Sequence, residues 1–310
     1  MPDHGLDQFF PREQFGALLA AVPLTMGQSG ASVYSATTET GDYILRIHGG
    51  NYGPWEQVST MQALASDHGI APRLVHTDAA AHATVSVKIP DFSFGAAVSN
   101  PATRAAAIGS LLGVLAKLQS IPIDGMAATG TLDFARTVWA AQSQRPAFPQ
   151  WALPLGTRIE QAAELLDRDG RLVMGHGDLH PANILWDGTR VWLVDWERAG
   201  PLHPYIDLAT LCNFLGLPPE AGMGLLTHLE RGQVDLDRQL LFASVRDLCR
   251  IVYGVVFLSL VDDLAQTHIG SRDNTPTLSE CFGLLATGQA SLSDATLRAQ
   301  IGTAFLNQCQ

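Results

Sequence analysis

Four polar residues, His176, Asp178, His180 and Asn183, stand in a loop broken by Gly177 and Pro181. Two short apolar runs follow, at 184–186 and 191–194, joined by Asp187-Gly188, a strong hairpin-turn signal. Such a hairpin sets Asn183 at the start of one strand and Asp195 at the end of the other, so the two become cross-strand neighbours. An amide oxygen beside a carboxylate suits Mg²⁺, a hard cation that takes oxygen ligands and keeps part of its water. Asp178, upstream of Asn183, is left to address something other than the metal. A transition-metal site on His176 and His180 fits poorly. Gly177 and Pro181 break the helix that would present both, and the only third histidine nearby is His203.

The elements that must hold this loop change type along the chain. Phe15, Leu18 and Leu19 share a helical face, which predicts a short helix over 11–21. Strand-like pieces flank the glycine-bearing turn at 27–32, Gly41 marks another turn, and 43–47 reads as a strand. Residues 55–67 predict a helix, and 71–76 and 83–89 predict strands ended by Pro90 and Asp91. The expected N-terminal lobe, 1–91, is a five-stranded antiparallel sheet with a helix across it. Near residue 100 the period becomes helical, with Ile108, Leu111, Leu112, Leu115 and Leu118 on one face. A further helix is expected at 157–168, with Thr157 and Glu160 in a capping box. Beyond 203 the pattern stays helical. The fold class is α+β, with a helical lobe over 92–310 and a ligand cleft between the lobes.

Composition bounds the partners. Of 310 residues, 46% are hydrophobic and 16% charged, which excludes a mainly disordered chain. The formal net charge of −11 gives no global electrostatic case for binding nucleic acid and favours a cationic small molecule. The longest apolar run, 251–261, is too short to cross a bilayer, and the N-terminus reads as carrying no secretory leader. Cys212, Cys249, Cys281 and Cys309 form no CxxC pair, so neither structural zinc nor a disulfide framework is expected. Buried thiols in a reducing compartment, the cytoplasm, are the expectation.

The runs His176-Gly177-Asp178-Leu179-His180-Pro181-Ala182-Asn183-Ile184-Leu185, Leu193-Val194-Asp195-Trp196-Glu197 and Pro204-Tyr205-Ile206-Asp207-Leu208-Ala209 resemble the aminoglycoside phosphotransferase and choline kinase superfamily. That family is a branch of the protein-kinase-like fold, which implies a bilobal enzyme using ATP and Mg²⁺. By the resemblance, Asp178 orients the acceptor hydroxyl and takes its proton. Asn183 and Asp195 hold magnesium, and His176 and Asp207 are structural. The loop containing Gln28, Ser29, Gly30 and Ser32 resembles the one covering the ATP phosphates. Arg46 occupies the place of the phosphate-pairing lysine, with Glu56 as its expected acidic partner. The strand bearing Val87 and Ile89 resembles the hinge that meets adenine.

The Asp195-Trp196-Glu197 form resembles choline, ethanolamine and thiamine kinases more than the antibiotic-resistance enzymes, although Arg198 departs from the choline-kinase pattern. The acceptor expected is therefore a cationic amino-alcohol or thiamine, met by Trp196, Glu197 and aromatic residues among Trp139, Trp151, Tyr205, Phe214, Tyr253 and Phe257. Asp247, Asp262 and Asp263 are further candidate carboxylates. The alternatives are an aminoglycoside or sugar kinase and a catalytically silent nucleotide-binding protein. A protein kinase is disfavoured, because no Ala-Pro-Glu signature follows Asp195.

Overall fold

The structure is a computed structural model that describes residues 5–24, 30–49, 54–267 and 272–309. Its N-terminal part runs α1 (Arg12–Phe15), β1 (Leu18–Leu24), β2 (Ser32–Thr38), β3 (Gly41–Ile47), α2 (Trp55–Asp67), β4 (Leu74–Asp78) and β5 (Ala83–Val87). Then come α3 (Phe94–Ser99), α4 (Arg104–Gln119), α5 (Thr131–Ser143), α6 (Gly156–Asp169), β6 (Val173–Gly175), β7 (Ile184–Trp186), β8 (Val191–Leu193) and β9 (Gly200–Leu202). The remainder is α7 (Tyr205–Phe214), α8 (Pro219–Leu229), α9 (Leu236–Ser259), α10 (Leu278–Ala286) and α11 (Ala295–Asn307). Two compact units result. Residues as far as Asp124, with His176–Gly200, form one; Gly125–Gly175 and the chain from Pro201 onward form the other.

In the first unit the sheet is antiparallel throughout, in the order β1-β2-β3-β5-β4. The strand alternation sends Ala36, Leu45 and Val85 into a core with Phe9, Phe10 and Phe15. Arg46, one residue on from Leu45, points to the other face, between Val33 on β2 and Thr84 on β5. That face carries α2, whose Gln62 accepts a hydrogen bond from Thr84 and whose Val58, Met61 and Ala65 form its buried stripe.

The helix expected over 11–21 does not form as such. A single turn, α1, stops at Gly16, whose φ of +67° suits glycine. Ala17 and Glu39 then exchange backbone and side-chain hydrogen bonds, and the next residues join the sheet as β1. Phe15, Leu18 and Leu19 fit helix and strand equally, and pairing with β2 decides.

The hairpin predicted around Asp187-Gly188 is present as β7 and β8, with Ile184 opposite Leu193 and Trp186 opposite Val191. It is tied at several points within the first unit. Leu193 N–H donates to the Ile70 carbonyl, Val191 N–H to Ser110 of α4, and Trp186 N–H to the Asp91 carboxylate.

The second unit is built around α9, against which α5, α6, α7 and α11 pack. Leu241, Phe242, Val245, Leu248, Ile251, Val255 and Leu258 supply its buried side. The helix expected at 157–168 is α6, without the capping box. Thr157 donates to the Pro154 carbonyl instead, and Glu160 accepts two hydrogen bonds from Arg136. A capping box forms instead at Thr277 and Glu280, heading α10. All four cysteines are buried and free. Among the described residues no helix is long and apolar enough to cross a membrane.

Candidate active site

Asp178, Asn183, Asp195, Glu197 and Arg46 all belong to the first unit. Pro181–Asn183 make a single 3-10 turn that delivers Asn183 to the start of β7. The Asn183 amide nitrogen donates to the Asp178 carbonyl at 2.9 Å and to its carboxylate at 3.3 Å. This directs the amide oxygen away from Asp178. The Asn183 carbonyl accepts from Val194 N–H at 3.0 Å, so Asn183 lies across the hairpin from the residue preceding Asp195.

Asp195 has φ +69°, a left-handed conformation uncommon for a residue with a side chain. An observed outlier of this kind is held by its surroundings. Trp196 supplies the hold. It is 4% exposed, its indole N–H donates to the Leu193 carbonyl, and its ring lies 4.9 Å from that of His176. With Trp196 turned into the core, Asp195 and Glu197 on either side of it both reach Arg46.

One Arg46 nitrogen, Nη2, donates to Asp195 at 3.1 Å and also to Glu197. His48 lies 4.0 Å from the same Glu197 oxygen. Burial pushes the Glu197 carboxyl above its ordinary pKa and the Asp195 charge adds to this, while Arg46 and His48 pull the other way. Burial also holds His180 below the usual imidazole range, against the charges of Asp178 and Asp195. His180 Nε2 lies 3.6 Å from the Asp178 carboxylate and 3.3 Å from the Asn183 amide.

His176 is fully buried, and its Nε2 lies 2.9 Å from the Val194 carbonyl, beside Asp195. Gly177 next to it has φ +76°, and a Cβ there would come within 2.3 Å of the Arg198 carbonyl oxygen. The glycine is thus required by both backbone angle and close approach. Asp207 is buried in the first turn of α7, in the second unit.

Gly30 and Ser32 are exposed at the start of β2, and Gln28 and Ser29 lie outside the described residues. Glu56 is exposed on the first turn of α2, and the carboxylates paired with Arg46 are Asp195 and Glu197. Val87 and Ile89 are half-buried at the end of β5 and just beyond. The N–H groups of Val87 and Lys88 already bond the Arg73 and Asp42 carbonyls. Trp196 is buried, and Glu197 is engaged with Arg46.

The aromatic candidates sit in the second unit. Phe214, Tyr253 and Phe257 gather around the buried Phe305, while Tyr205 is fully buried and donates to Glu230. Asp247 is tied to Arg158 and Arg250, and Asp263 accepts from Ala265 and Gln266. The pairing of Glu197 with Arg46 had no local signal to reveal it, since 151 residues separate the two.

The donors on offer fit magnesium. They are amide and carboxylate oxygens, and the described residues hold no cluster of three or more His, Cys, Asp or Glu able to bind a metal by itself. Mg²⁺ needs no such cage when phosphates complete its shell, since one or two carboxylates suffice. Arg46 sets a guanidinium, a group able to pair with phosphate oxygens, beside Asp195 and Glu197.

A model of the phosphotransferase enzyme family matches residues 21–240. The fold resembles that of a choline/ethanolamine kinase family protein from Mesorhizobium loti, with a TM-score of 0.66 and 18% identity over 91% of this chain and 92% of that one. It also resembles the choline kinase LicA from Streptococcus pneumoniae, with a TM-score of 0.61 and 14% identity over 93% of each chain. A putative aminoglycoside phosphotransferase from Ralstonia eutropha gives a TM-score of 0.59 and 13% identity over 94% of this chain and 92% of that one. A search of curated proteins finds no significant match.

Proposed function

Because the chain belongs to the phosphotransferase enzyme family, we propose that it transfers the γ-phosphoryl group of ATP, with Mg²⁺, to the hydroxyl of a small cationic alcohol such as choline, ethanolamine or thiamine. The observation that carries the transfer reading is local. Asn183 touches Asp178 through its amide and the Val194 backbone through its carbonyl, while the next residue, Asp195, pairs with Arg46. Base, metal donors and phosphate cation therefore form one connected set.

In this reading Asn183 and Asp195 hold Mg²⁺, which neutralises phosphate charge when bound. Arg46 grips phosphate oxygens. Asp178 orients the acceptor hydroxyl and takes its proton. Catalysis of this type is mainly orientation and electrostatics. At the β5 end the Val87 and Lys88 N–H groups are engaged, so adenine would be met by backbone carbonyls and by Ile89. The cationic acceptor is supported by the net charge of −11 and by the resemblance of the Asp195-Trp196-Glu197 run to that of choline, ethanolamine and thiamine kinases.

A coupled ADP-release screen over amino-alcohols, thiamine, sugars and aminoglycosides tests both halves. Turnover of a cationic alcohol that needs Mg²⁺ and is lost in Asp195→Ala is the expected result. Turnover of neutral sugars alone overturns the substrate half, and no turnover of any alcohol overturns the whole.

A further inference from the structure

Arg46 and Glu197 meet within the first unit although 151 residues separate them. Arg46 sits on the central strand β3, and its side chain is 20% exposed. A long guanidinium side chain has many rotamers, and fixing it costs conformational entropy unless strong partners hold it. Two carboxylates do so, and they are not equivalent. The Asp195 side chain is 25% exposed, the Glu197 side chain only 6%. Asp195 is also a proposed metal donor, so its charge would be shared with the ion. Glu197 is then the permanent counter-charge. Its place is set by Trp196, whose burial turns the residues on either side toward Arg46. Glu56, on the helix that follows β3, is exposed.

We propose that Glu197 is a positioning residue that fixes the Arg46 guanidinium for the nucleotide phosphates, doing so from the segment after Asp195 rather than from α2. The proposal rests on the nucleotide-binding reading above and assigns Glu197 to the phosphate side rather than to the acceptor. Its consequence is energetic coupling. Glu197 matters to nucleotide binding only through Arg46, so its effect vanishes once the guanidinium is gone.

The test is a double-mutant cycle on the full chain, read by binding of fluorescent mant-ADP with Mg²⁺ to wild type, Glu197→Gln, Glu197→Asp, Arg46→Met and the pairs of each Glu197 variant with Arg46→Met, an unbranched side chain without charge. Glu197→Gln keeps the shape and removes the charge, and weakens binding by about tenfold, the size expected for a lost charged hydrogen bond. Glu197→Asp recovers part of the loss. In the Arg46→Met background, Glu197→Gln changes affinity by less than about twofold. Equal factors in both backgrounds, or an unchanged affinity in Glu197→Gln, overturn the proposal and leave the nucleotide reading intact. A wild type that binds no mant-ADP overturns both. Should Glu197→Gln fail to fold, the Glu197→Asp cycle decides by the same criterion.

Discussion

Asp178 is the proposed base, and its neighbours define what it can do. Its carboxylate accepts from the Asn183 amide and lies 3.6 Å from His180. Asn183 thereby links the proposed base to the proposed metal donors. Asp178→Asn keeps the size and much of the hydrogen bonding but cannot take a proton. It should leave mant-ADP binding within about twofold of wild type while lowering turnover by ~10² or more, the range for losing a general base. The check is binding by fluorescence beside single-turnover phosphoryl transfer. Full activity in Asp178→Asn removes the residue from the chemistry. Gly177 beside it tests the frame. Its φ of +76° and the 2.3 Å approach of the Arg198 carbonyl leave no room for a Cβ. Gly177→Ala should therefore destabilise the fold by more than ~1 kcal/mol in denaturant melts, beyond what added backbone stiffness returns.

The β7–β8 hairpin is the element that makes the candidate site, and its turn is held by one carboxylate. Asp187 accepts from Trp192 Nε1 at 2.8 Å, from Thr189 N–H and Oγ1, and from Arg190 N–H. Burial raises its pKa, but these four hydrogen bonds outweigh that and hold it well below the usual carboxylate range. A carboxyl whose pKa is lower folded than unfolded adds stability that is complete above the unfolded value, near 3.9, and fades as pH falls through the folded one. Asp187→Asn should cost about 1 kcal/mol near pH 7, a figure already discounted for partial exposure. The difference from wild type should shrink progressively in melts taken below about pH 4. A gap independent of pH would show that the charge of Asp187 plays no part. This hairpin was legible in the sequence because Asp-Gly turns are local and fix register, although the register sets Asn183 across from Val194, one residue short of Asp195. Three other features depended on contacts that spacing does not encode. The segment 18–24 became a strand because β2 offered backbone partners. Thr157 and Glu160 form no capping box because α6 begins at Gly156, which puts Thr157 inside the helix, and Glu160 pairs with Arg136 on α5 instead. Arg46 found Glu197 because Trp196 is anchored in the core.

At the scale of the whole molecule, the net charge of −11 acts on the two proposed substrates with opposite signs. The Mg-nucleotide complex is itself negative, so the long-range field opposes its approach, and in the proposed reading local binding would rest on Arg46 and the metal. A cationic acceptor is drawn in by the same field. Salt screens such fields over a Debye length of about 8 Å at physiological ionic strength. Raising salt from about 0.05 to 0.3 M should therefore increase KM for a cationic acceptor, by roughly threefold, and leave a neutral analogue unmoved. The long-range part of the nucleotide's response should run the other way, with a faster on-rate for mant-ADP as repulsion is screened. A general salt effect on folding or on the chemical step would shift both substrates in one direction, so the opposed signs are the diagnostic. Initial rates over a potassium chloride series, with stopped-flow nucleotide binding at the same points, measure both arms. A cationic acceptor whose KM is flat across the series would show that global charge plays no part in selecting it. Choice among acceptors would then rest on contacts at the site alone.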